Sequence, residues 1–209
     1  MKKFPVLCPP GSIVMITQWF KPFNNPEHDA IDFIIRNPSL SNKDNDRLTY
    51  GAQLIQTNDA TCMIVNNFGT MNPLGNGIDF EWQENGYWWR IHFWHTVYNY
   101  FNVGDKVKAG TVVALMGNTG DVNPKPTPLK PYDGTHCHMR YSRYQKNADG
   151  ANYNIVSLDP TLYFDINNPY EGVDSSVVVD LQPVYWAWDK LGIKDNLSKL
   201  FYFFKNIFN

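Results

Sequence analysis

His136 and His138 flank a single residue, Cys137, and this spacing restricts what the segment Gly134–Arg140 can be more than any other feature of the chain. Side chains at i and i+2 diverge on a helix but leave the same face of a strand. The two imidazoles therefore point together and Cys137 points the other way. An isolated pair of this kind also suits an ordinary surface strand, so the upstream residues matter. His28 and Asp32 stand at i and i+4, a spacing that returns to one face on a strand and on a helix alike. Asp32 lies within Ala30-Ile31-Asp32-Phe33-Ile34-Ile35. A carboxylate among such neighbours is costly unless it is paired, hydrogen-bonded to backbone at a strand end, or bound to a metal. His28, Asp32 and His138 make an N, O, N donor set of the kind zinc accepts in catalytic sites, where three protein ligands leave a fourth position for water.

The rest of the chain reads as strands broken by turns. Fourteen Gly and fourteen Pro punctuate it, and 15% of its residues are aromatic, enough to fill a β-rich core or to line a binding surface. Residues 12–20, 30–35, 52–55, 61–65, 78–82, 87–94 and 111–116 carry the β-branched and aromatic runs of strands. The pair 78–82 and 87–94 turns at Glu84-Asn85-Gly86. Alternation in the second of these predicts Trp89, Ile91, Phe93 and His95 on one face, with Arg90, His92 and Trp94 on the other. His92 is then expected to be a packing or surface histidine. Residues 37–49 are polar and aperiodic and are expected to be a loop, as are 66–77. Residues 121–133 hold four prolines and should form a stiff extended connection into the His136 strand.

At 209 residues with a formal net charge of −2, the chain can bury a proper core and has no electrostatic case for nucleic acid or an anionic membrane. Cys8, Cys62 and Cys137 are too widely spaced for a disulfide framework or a zinc knuckle. The first apolar run stops at Cys8 before Pro9-Pro10-Gly11, short of a secretory h-region of about 7–15 residues, so no signal peptide is expected. No stretch approaches the ~20 apolar residues of a transmembrane segment. The division expected is a domain over 1–164 and a linker plus tail over 165–209. In the tail, Leu197, Leu200, Phe201, Phe204, Ile207 and Phe208 recur at helical spacing. Such an amphipathic helix either folds back on its own domain or docks on a protein partner. Its four lysines are few for a membrane surface.

Taken in order, these segments resemble the LytM/lysostaphin-type zinc endopeptidases over roughly residues 13–164. His28 to Asp32 matches the family's H-x-G-x-D, preceded by Ile16-Thr17-Gln18-Trp19-Phe20 in place of I-T-S-x-F-G. Phe93-Trp94-His95 matches Y-x-H, and Val103-Gly104-Asp105-Lys106-Val107 follows at the family's interval. Val113 to Gly120 is similar to I-G-x-x-G-N-T-G, His136-Cys137-His138 to H-L-H, and Leu158-Asp159-Pro160 to V-D-P. Ala30 stands where the family has Gly, Cys137 where it has an apolar residue, and Phe93 where it has Tyr. The loops 66–86 and 121–135 are longer than usual, so substrate preference does not carry over.

The resemblance implies a mainly β fold, an antiparallel sheet or sandwich of the LytM type, here with a C-terminal helical appendage. It also implies zinc on His28, Asp32 and His138, cleavage of peptide stems or cross-bridges in bacterial peptidoglycan, and His95 and His136 as the catalytic pair, with their roles undivided. Cys137 should face the core, and Asp29 should point away from the site. A wall hydrolase without an export signal but with an aromatic tail suits an extracellular or virion-associated enzyme, the tail docking on a virion or tail component. The principal rival is a non-catalytic structural or wall-binding module on the same scaffold. A biotinyl- or lipoyl-type carrier is rejected, because the turn Gly117-Asn118-Thr119-Gly120 offers no lysine to modify.

Overall fold

The computed structural model describes residues 1–67 and 73–171, and the alternating segments there fold into two sheets around one core. The strands are β1 (Lys2–Cys8), β2 (Ile13–Gln18), β3 (Ile31–Arg36), β4 (Gln53–Ile55), β5 (Ala60–Asn66), β6 (Gly77–Glu84) and β7 (Tyr87–Trp94). They continue with β8 (Thr96–Asn99), β9 (Lys106–Val107), β10 (Val112–Met116), β11 (Cys137–Lys146), β12 (Asn152–Leu158) and β13 (Phe164–Glu171). One helix, α1 (Asn42–Thr49), follows β3. The smaller sheet has the order β13-β1-β4-β10-β8, and the larger β2-β3-β11-β7-β6-β5-β9 with β12 also paired to β11. Every pairing is antiparallel except β1 with β13. The chain is thus mainly β and built of antiparallel sheets, as expected.

The core joins the two sheets: Phe4 and Val6 of β1, Leu54 of β4 and Val113 of β10 pack with Phe33, Phe80, Ile91, Phe93 and Met139 of the larger sheet. Phe4 meets Phe33 edge to face at 4.9 Å. Each fully buried phenylalanine contributes roughly 1.5–3 kcal/mol through the apolar surface it removes from water. This burial fixes the opposite face of the larger sheet as well. Ile31, Phe33 and Ile35 point inward, so Asp32 points outward. Cys137, Met139 and Tyr141 point inward, so His138 and Arg140 point outward, and Cys137 is buried as expected. The register then sets Asp32 and His138 side by side, with Trp94 on the far side of His138.

Four local expectations differ from the structure: residues 121–133 turn back instead of extending, with Thr127 and Lys130 exchanging backbone hydrogen bonds, and three others concern regular elements. Residues 42–49 are helical, not loop. The segment lacks an apolar stripe because α1 docks through polar groups. Ser41 caps it by accepting from the Asp44 amide. Buried Asn45 donates to the carbonyls of Asn37, Leu40 and Ser41, and buried Thr49 donates to the Ile35 carbonyl. Second, Lys2–Cys8 is a strand with Phe4 and Val6 fully buried, a role the short N-terminal run did not suggest. Third, residues 165–171, expected at the start of the linker, belong to β13, which lies parallel to β1. Only long-range pairing makes that strand, and its edge position tolerates Pro169. The helix expected near the C-terminus lies outside the described residues. No helix among the described residues is long and apolar enough to cross a membrane.

Candidate metal centre and flanking imidazoles

Four of the five histidines converge at one end of the β3–β11–β7 face. His28 precedes β3, in the connection after β2, so its position comes from turn geometry rather than strand alternation. Its Nδ1 lies 3.1 Å from the Trp19 carbonyl and its Nε2 lies 3.3 Å from Asp32 Oδ1. His138 Nδ1 is 2.9 Å from the same oxygen, and His136 Nε2 is 3.9 Å from Asp32 Oδ2. One donor atom from each of His28, Asp32 and His138 falls within a 4.8 Å cluster. The three side chains are only 8%, 13% and 14% exposed.

The donor chemistry fits a cation. A carbonyl can only accept, so His28 Nδ1 carries a proton, and in the neutral ring Nε2 then presents a lone pair. That lone pair faces a carboxylate oxygen, which can only accept when ionised. Two acceptors aimed at each other in a poorly hydrated spot require a proton or a metal ion between them. Burial alone would raise the Asp32 pKa, but the His138 hydrogen bond and the charges of His136, His138 and His28 together hold it below the ordinary carboxylate range. A carboxylate oxygen whose ionised form is favoured, lying between two imidazole nitrogens, suits zinc, a borderline ion for N and O donors.

His95 reaches this site by a route the strand pattern does not predict. Phe93 is fully buried in the core and Trp94 lies on the face that carries Asp32 and His138, so alternation would send His95 inward with Phe93. The strand instead breaks: His95 has φ of +62°, a left-handed backbone uncommon outside glycine. The turn brings its ring to 4.6 Å from His136 and 6.0 Å from His138, between centroids. His92, on the site's face of β7, is buried beside Trp94 with Nδ1 2.8 Å from Asp79 Oδ2. The expected division of faces is therefore corrected: His92 shares the site's face as a packing residue, and His95 joins the site through the bend. Asp29 pairs with Arg140 at 2.7 Å and accepts from Ser157, away from the donor cluster.

Backbone carbonyls orient both flanking rings. His95 Nδ1 is 2.8 Å from the Thr119 carbonyl, and His136 Nδ1 is 2.8 Å from that of Gly134. The Thr119 hydroxyl donates to the Thr96 carbonyl and accepts from the Asn76 amide, which ties the 117–120 turn to the bend at His95. That turn also presses against the loop before β6, since a Cβ on Gly120 would lie 2.3 Å from the Gly75 amide nitrogen. Both imidazoles consequently turn Nε2 lone pairs away from their anchors. Burial, aided by the neighbouring His136, pushes the His95 pKa down to about 4. His136 is also lowered, by burial against the opposing pull of Asp32. Both rings are neutral bases near neutral pH.

The burial of these rings makes the stability of the metal-free protein depend on pH. Between about 4 and about 6.5 an unfolded His95 binds a proton that the folded one refuses, so stability is complete above that window and falls as pH falls through it. His136 adds to the same slope. Urea midpoints should be flat just above the window and decline within it. A midpoint that rises on acidification there would contradict the burial of these rings.

No protein-family model matches the chain, and no curated protein matches it. Solved structures do. A zinc-containing peptidase from Vibrio cholerae aligns at 21% identity over 66% of this chain and 37% of its own, with a TM-score of 0.42. The catalytic domain of the antimicrobial peptidase lysostaphin from Staphylococcus simulans aligns at 18% identity over 78% of this chain and 90% of its own, with a TM-score of 0.43. A structure of the SpoIIIAH and SpoIIQ complex aligns at 15% identity over 78% and 100%, with a TM-score of 0.48.

Proposed function

We propose that the chain is a zinc-dependent endopeptidase of the LytM/lysostaphin type that cuts peptide stems or cross-bridges of bacterial peptidoglycan. The observation that carries the reading is the convergence of His28, Asp32 and His138, with His28 Nε2 and His138 Nδ1 both within 3.3 Å of Asp32 Oδ1. The substrate class comes from the ordered segments that resemble that family. In this reading the three residues hold zinc, which when bound acidifies a water to a pKa of about 7 and acts as a Lewis acid on the scissile carbonyl.

The remaining chemistry falls to His95 and His136. Each is a neutral imidazole locked in the Nδ1–H tautomer by a backbone carbonyl, so Nε2 can take a proton from the attacking water. Once protonated, the same nitrogen can donate to the oxyanion or return the proton to the leaving amine. Burial favours giving the proton back, because it disfavours the charged ring. Such an enzyme acts on the wall, outside the cytoplasm, delivered by export or on a virion.

The test uses purified protein and peptidoglycans of different cross-bridge chemistry, with fragments identified by mass. The expected result is a stoichiometric complement of zinc and new peptide amino termini, both removed by chelation and restored by zinc. Protein that binds zinc and wall but releases no fragment from any of them is the binding-module rival. Protein with no zinc affinity overturns the reading.

A further inference from the structure

His28, His95 and His136 each have Nδ1 anchored on a backbone carbonyl, but His138 does not. Its Nδ1 faces Asp32, a member of the same donor set, and its Nε2 makes no hydrogen bond among the described residues. An imidazole ring rotates over a broad range about its terminal torsion, so a ligand without an outer anchor must be held by something else. What touches its ring face is Trp94. The indole and imidazole planes lie 12° apart with centroids separated by 5.2 Å, an offset stack.

Trp94 is itself seated. It pairs across β7 and β6 with Gly77, and a Cβ on that glycine would lie 2.1 Å from Trp94 Cδ1 and 3.0 Å from Nε1. The five-membered edge of the indole therefore rests directly on the Gly77 backbone, where no larger residue fits. On another side the ring of His92, held beside Asp79, meets the indole edge to face at 5.3 Å. Trp94 gains little for itself from this position, since its Nε1 is buried without a hydrogen-bond partner among the described residues.

We propose that Trp94, seated on Gly77, is a positioning residue that fixes the ring plane of His138 in place of the usual hydrogen bond to a metal ligand. The inference rests on the metal-site reading above. It assigns Gly77 and Trp94 a joint role, although neither can ligate an ion.

The test compares Gly77→Ala, Trp94→Leu and Trp94→Phe with the unaltered protein. The measurements are zinc affinity by chelator competition, the visible absorption of the cobalt-substituted protein and thermal unfolding without metal. Gly77→Ala and Trp94→Leu should weaken zinc binding by roughly 10–100-fold, the range for lost outer-shell support. Both should also alter the cobalt spectrum, which reads ligand geometry. Trp94→Phe keeps a flat ring and should preserve affinity and spectrum. Unchanged affinity and spectrum in the first two variants would overturn the proposal. So would equal losses in Trp94→Leu and Trp94→Phe that track unfolding temperature, because volume alone would then explain them. If Gly77→Ala fails to fold, the two Trp94 variants decide alone. Absence of zinc binding in the unaltered protein would instead remove the metal-site reading, and this proposal with it.

Discussion

His138→Ala should empty the proposed metal site and abolish the proposed peptide cleavage together, while leaving the fold in place. His138 is the residue on which three contacts meet: Asp32 Oδ1 at 2.9 Å, the His28 ring at 5.0 Å and the Trp94 stack. Its loss leaves His28 and Asp32 as a two-donor fragment, which gives zinc too few protein ligands for a catalytic site. Outer-shell losses cost roughly 10–100-fold in metal affinity, so removal of a ligand should exceed about 100-fold. The fold should survive because His138 points away from the core, and its neighbours Cys137 and Met139 carry the packing of β11. Equilibrium dialysis against buffered zinc, circular dichroism and wall digestion on one preparation separate these effects. Asp32→Asn is the companion variant. It keeps the shape of the side chain and removes the charge that His28, His136 and His138 face, and it should lose zinc as fully. Retained zinc in His138→Ala would mean that the donors meet at a different point from the one assigned.

Asp32 and His138 are legible in the chain because they lie on regular strands. The outward direction of Asp32 and His138 follows from the apolar residues on either side of them, and the core placement of Cys137 follows with it. The hairpin of β6 and β7 was visible in its Asn85-Gly86 turn, both residues having positive φ. The elements that depart from the local pattern share a cause: tertiary contacts, not periodicity, determine them. Residues 42–49 form a helix without an apolar stripe because buried Asn45 and Thr49 satisfy neighbouring backbone groups. β13 exists only because β1, at the opposite end of the described chain, supplies its hydrogen bonds. Alternation holds within β7 but not through His95, where the strand bends, so His95 leaves the face of Phe93.

That bend makes His95 the most informative residue to change. His95→Ala should keep zinc and lower turnover by about 10²–10⁴-fold, the usual contribution of a positioned acid or base. None of the three proposed ligands depends on it, as its one anchoring bond is to the Thr119 carbonyl. Alanine alone would be ambiguous, because φ of +62° strains any residue with a Cβ and a left-handed conformation costs roughly 1–2 kcal/mol. Substitution by alanine removes the ring and its hydrogen bond but keeps the strain. His95→Gly removes both ring and strain, and His95→Asn keeps a polar side chain of a type that tolerates this conformation. If the ring does the chemistry, all three variants should be equally slow while their stabilities differ, with glycine above alanine. If His95 merely holds the turn against the 117–120 loop, activity should follow stability, and glycine or asparagine should restore it. Metal analysis of the same samples closes the remaining route: a site emptied by His95→Gly would make His95 a ligand and leave His136 as the sole candidate base.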